Sequence, residues 1–150
     1  MNETMPDALS LRAEDAEDMT VVSACLQDAL VTLGDMAYLA EERRFILVAS
    51  RFLWEEEGSG RRSRIHTGVS FDEVTGVRMR GINRRADSGR ILELLAIDAE
   101  DGAEKGTVTL VMAGGAELRL EVEAIRCHLR DFGEPWPAAA SPRHLIAEES

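Results

Sequence analysis

The chain has 150 residues, 45% of them apolar and 30% charged, with 17 basic against 28 acidic side chains and a net charge of −11. That length suits a single domain burying about two-thirds of its unfolded surface without disulfides or a metal. The charge works against nucleic-acid or anionic-lipid binding, and no run approaches the roughly 20 apolar residues of a membrane span.

Cys25 and Cys127 stand far apart and make neither a disulfide framework nor a zinc spacing. The opening MNETMPDALS is acidic and has no apolar segment of signal-peptide kind. A cytoplasmic protein is the expectation, with residues 1–8 frayed.

Leu9 and Leu11 alternate with Ser10 and Arg12 as a short edge strand. Asp15 then reads as a helix N-cap, with Glu17 and Asp18 in the positive first turn and Met19, Val22 and Leu26 as the inner stripe. This helix is expected to end near Asp28 or Ala29. A strand follows from Leu30 to Tyr38, with Gly34 marking a bulge, and pairs through a polar turn with a second strand from Arg44 to Trp54. Phe45–Val48 is apolar at every position, which predicts a strand that is central or covered on both faces.

Ile65, Thr67, Val69 and Phe71 share the inner face of the next strand, which turns near Asp72 and Glu73. Val77 and Met79 then alternate with outward Arg78 and Arg80. Residues 83–89 form a loop, and Ile91–Ile97 makes another largely buried strand.

From Gly106 the alternation of Val108, Leu110 and Met112, answered by Leu118, Leu120 and Val122, predicts a hairpin. Pairing Leu118 with Met112, Leu120 with Leu110 and Val122 with Val108 leaves Gly114-Gly115-Ala116 as a three-residue loop. Ile125, Leu129 and Phe132 then fall at helical spacing, which predicts a covering helix stopped by Gly133, with Trp136 folded back over its last turn. Residues 137–150 are expected to be a disordered tail after one domain over 1–136.

Seven strands after an N-terminal helix, closed by a C-terminal helix, predict an α+β fold. Its sheet would be strongly curved or a partly open barrel, plugged at one end as in pleckstrin-homology-like modules by topology alone. An open sheet carrying both helices on one face is the other arrangement these elements allow.

Catalytic constellations are thin in this chain. His66 points away from the face of Ile65 and Thr67, His128 and Cys127 are adjacent and diverge on a helix, and His144 lies in the tail. Lys105 is the only lysine and has no phosphate-binding loop around it. No catalytic residue, cofactor site or metal site is assigned. Asp35, beside Gly34, is a candidate pocket acid.

The strongest binding candidate is basic. Residues 61–90 hold eight arginines against three acids. Arg78, Arg80, Arg84, Arg85 and Arg90 could together grip carboxylate or phosphate oxygens through bidentate hydrogen bonds, or pair with the chain's own acids.

The runs GDMAYL, ERRF and GEPW, with LRAEDAEDMTVVSACLQDA and ILELLAI, resemble the alphaproteobacterial family known as domain of unknown function 2948 (DUF2948) from about Leu9 to Trp136. That resemblance implies a small cytoplasmic bacterial protein and brings no activity, cofactor or catalytic residue with it. The expectation is therefore a non-enzymatic module for binding a protein partner or for assembly, a homodimer included, with contact through Arg78–Arg90. The alternative is a sensor or enzyme holding a small anionic metabolite between those arginines and Asp35. Nucleic-acid and membrane partners are not expected.

Overall fold

A computed structural model describes residues 9–56, 58–60, 62–83 and 88–138. Its elements are β1 (Ser10–Ala13), α1 (Ala16–Cys25), β2 (Leu30–Leu39), β3 (Arg44–Phe52), β4 (Ser63–Phe71), β5 (Val74–Arg80), β6 (Ile91–Glu100), β7 (Gly106–Met112), β8 (Glu117–Val122) and β9 (Cys127–Pro137). The strands form one antiparallel nine-stranded sheet in the order β1-β9-β4-β3-β2-β6-β7-β8-β5.

That order forces the sheet to curl. Strand β4 is third and β5 last, so a flat sheet would separate them by roughly 29 Å at about 4.8 Å per strand. Only Asp72 and Glu73 join them, with a reach of about 10 Å. The far edge therefore returns to the β2–β3 turn. Val74 N donates to Arg43 O at 2.9 Å, the Tyr38 hydroxyl donates to Val74 O at 2.9 Å, and Arg43 bridges Glu73 and Glu123. The inward rows of both halves, among them Leu47, Val69, Phe71, Leu94, Leu110, Leu118 and Leu120, make one core.

Helix α1 starts where its cap predicts: the Asp15 carboxylate accepts from Asp18 N at 2.7 Å. It buries Met19 and Val22 against the core and packs on β6 and β1. Ser23 Oγ accepts from Ile97 N at 2.9 Å, which pins the helix to β6. The helix stops at Cys25, short of the expected end, and Asp28 takes a left-handed φ of 66° as the chain turns into β2.

The expected α+β fold with about seven strands and a covering C-terminal helix is overturned: nine strands form the sheet, and α1 is the one α-helix among the described residues. The segment read as the C-terminal helix is β9, an interior strand between β1 and β4. Its inner row is Cys127, Leu129 and Asp131, and Phe132 points to solvent. The alternation is hidden in sequence because one inward residue is a carboxylate. Gly133 does adopt a left-handed φ of 73°, but within the irregular pairing of β9 with β4. With no helix there, the pleckstrin-homology-like analogy falls.

The β7–β8 hairpin keeps the expected inward face and shifts its register by two residues: Leu110 faces Leu118 and Val108 faces Leu120. The loop is Ala113-Gly114-Gly115, since Ala116 is apolar and buries its methyl while the two glycines take φ of 80° and 84°. In β2 the irregularity expected at Gly34 is present, between Val31 and Met36 in the pairing with β3. Strand β3 is interior, as expected, but its residues alternate, and Ile46 and Val48 are not covered.

Candidate functional site

Two buried features fix the sheet on which the site lies. Arg51 is fully buried and donates from Nε and Nη2 to Asp131 at 2.9 and 2.7 Å, and from Nη1 and Nη2 to Glu55 at 3.0 and 2.7 Å. Burial works against its charge, but the hydrogen bonds to Asp131 and Glu55 outweigh that and raise its pKa. This pairing ties β3 to β9 across β4. Arg64 is also buried, donating to Ser50 O at 2.9 Å, and burial lowers its pKa while Asp28 and Glu93 oppose the shift.

On the opposite face the register lines up rows across the strands. One runs Arg12, His128, Ser70 and Ile46 on β1, β9, β4 and β3; the next runs Ser10, Arg130, Gly68 and Val48; a third runs Phe132, His66 and Ser50. Ile46, Val48 and Phe132 are 36%, 37% and 47% exposed, and Ile91 and Leu95 extend the same outer face on β6. The Phe132 ring lies close to Gly68 and stacks on His66 at 5.6 Å, while Trp136 sits 4.6 Å from the His66 ring. Apolar side chains thus occupy the middle of an open sheet face.

At one end of this face is a pocket of about 400 Å³ lined by Arg12, Glu14, Arg44, Ser70, Asp72, Arg126 and His128, with Ala13 and Cys127 beneath. Arg44 is engaged by Asp72 at 2.8 Å and Glu42 at 3.5 Å. Arg12, Arg126 and Arg130 are exposed and have no ion pair among the described residues. Burial, with Asp72 nearby, pushes the Cys127 thiol up to about 12, so it stays protonated at neutral pH. Cys25 is likewise raised, by burial above all. Neither thiol is poised as a nucleophile.

The residues singled out in the sequence lie elsewhere. Arg78 and Arg80 face outward on the edge strand β5, with Arg78 76% exposed, 3.6 Å from Glu121 and opposite Arg119. Arg90 donates to Gly81 O at 2.9 Å. Asp35 is exposed in the β2 irregularity, where Leu33 N donates to Arg90 O and Gly34 N to Ser88 O, each at 2.8 Å. Arg84 and Arg85 lie outside the described residues, as does His144.

Sequence reasoning missed Arg12, Arg126, His128 and Phe132. A usable signal for the face was the unbroken apolar run Phe45–Val48, which demands cover on both sides where the chain provides it on one. Among the described residues no group of three or more His, Cys, Asp or Glu could hold a metal ion, and no helix is long and apolar enough to cross a membrane.

Compared with known proteins, the chain matches the model of a family described as "Protein of unknown function (DUF2948)" over residues 9–144, and it belongs to that family. No curated protein and no solved structure matches it.

Proposed function

We propose that this DUF2948 member is a non-enzymatic interaction module that binds a protein partner on the outer face of β1, β9, β4 and β3. One observation carries the reading: Ile46, Val48 and Phe132 are exposed on a face that also carries the exposed Arg12, Arg126 and Arg130, which have no ion pair among the described residues. Apolar groups gathered on a sheet face mark an interaction surface. Such a basic group in a chain of net charge −11 suits a partner segment that carries apolar side chains flanked by carboxylates. The cytoplasmic setting expected from the sequence belongs to this reading, and both cysteines are free.

The Arg78–Arg90 surface remains a second contact reading, favoured by Arg78 and Arg80 lying on an edge strand whose outer side has no neighbouring strand among the described residues. A photo-crosslinking residue at Val48, compared with one at Thr109 on β7, separates these readings. A discrete cross-linked species from position 48, absent from 109 and lost in Phe132→Glu, supports the apolar face. Equal labelling from both positions overturns it, and loss in Arg78→Ala/Arg80→Ala alone moves the contact to β5. A species at twice the chain mass makes the partner a second copy.

A further inference from the structure

We infer that the pocket between β1, β9 and the β4–β5 turn binds a small oxyanion, a carboxylate or a phosphate monoester, through Arg12 and Arg126. This goes beyond partner binding, since it needs no second protein.

The pocket is built by the register. Arg12 and Ser70 flank His128 on neighbouring strands, so each side chain starts about 4.8 Å from that of His128 across the face. Arg126 is brought to the same end because its carbonyl accepts from Asp72 N at 2.9 Å, which fixes the chain entering β9 beside the β4–β5 turn. Asp72 does not neutralise the whole site, because its Oδ1 already accepts from Arg44 Nε at 2.8 Å. Among the described residues the donor forks of Arg12 and Arg126 are uncommitted, and such forks match the oxygens of carboxylate and phosphate. Ser70 and His128 add further hydrogen-bonding groups, with the His128 Nε2 lying 3.3 Å from Ser10 Oγ.

Charge and size narrow the ligand. The lining carries Arg12, Arg44 and Arg126 against Glu14 and Asp72, an excess of one arginine over the carboxylates. That favours one or two negative charges over a polyphosphate. A volume of about 400 Å³ lies at the small end of ligand pockets, so it suits a compact organic acid or phosphate ester and excludes a dinucleotide. The pocket is open, and Glu14 in its wall disfavours a ligand with charge at both ends.

Isothermal titration of the full chain with inorganic phosphate and, separately, succinate at constant ionic strength tests this. Saturable binding of at least one probe is expected, weakened tenfold or more in Arg12→Gln and in Arg126→Gln and unchanged in Arg78→Gln. The probe that binds more tightly decides between phosphate and carboxylate. If Arg12→Gln disturbs the edge strand, seen as a lowered melting temperature, Arg12→Lys keeps the charge and loses the fork, and binding still weakens severalfold. Failure of both probes to saturate, or equal affinity in the pocket variants and Arg78→Gln, overturns the proposal. Either result leaves the cross-linking test of the apolar face unaffected.

Discussion

Arg51 sits at the centre of the half-sheet and is answered by two carboxylates, Asp131 and Glu55. Removing Asp131 leaves the buried Arg51 with Glu55 as its one carboxylate among the described residues, so Asp131→Ala should cost about 3 kcal/mol in urea unfolding. Beside it, the Thr67 hydroxyl is buried without a hydrogen-bond partner among the described residues, directly across from Asp131. Thr67→Val keeps the shape and removes the stranded hydroxyl, and should leave stability equal or raise it by about 1 kcal/mol. Two exposed-side carboxylates give opposite pH dependences. The hydrogen bond from Arg51 holds Glu55 below its ordinary value, so its contribution is present above about pH 4.3 and is lost as pH falls through the folded pKa. Burial, then the hydrogen bond and charge of Asp28, raise Glu93, so its contribution is present below that pH and lost as pH rises through its folded pKa. Thermal melts should therefore show Glu93→Gln more stable than the parent at pH 7, with the gap shrinking towards pH 4.

Strand β9 and the β7–β8 hairpin carry the lesson of the elements. Leu129 is fully buried in β9, and Leu129→Ala should cost about 2–5 kcal/mol, whereas Trp136→Ala should cost less because that ring is only half-buried on the outer face. In the hairpin loop, Gly115 holds a left-handed φ of 84° with open space around a Cβ, so Gly115→Ala should cost about 1–2 kcal/mol from backbone strain alone. The hairpin, its inward face and its three-residue loop were legible in the sequence, because period-two alternation and paired glycines are local signals. Its register was not, because shifting by two residues keeps the same side chains inward and only the burial of Ala116 decides between the two. For β9 the local signal pointed the wrong way: Ile125, Leu129 and Phe132 match a helix, and the inward Asp131 is intelligible only once Arg51 stands opposite.

At the scale of the molecule, β9 is inserted between β1 and β4, so among the described residues β1 has no strand partner except β9. Deleting residues 127–138 should therefore abolish cooperative unfolding in circular dichroism, whereas a peripheral covering helix could be removed with the rest of the fold retained. The same insertion assembles the candidate site, since Arg12, Arg126 and His128 meet only because β1 and β9 pair. The sequence by itself determined that the chain is rich in antiparallel strands, where α1 is capped, which faces of β4, β7 and β8 turn inward, and the family to which it belongs. The structural features follow from short-range periodicity, capping chemistry and turn stereochemistry, and the family from the resemblance of runs such as GDMAYL and GEPW. Only the tertiary structure decided the strand order, the conversion of the final segment from helix to interior strand, and the exposed face with its basic pocket. Those depend on pairs far apart in the chain, such as Arg51 with Asp131 and Arg12 with His128, whose energies no local window contains.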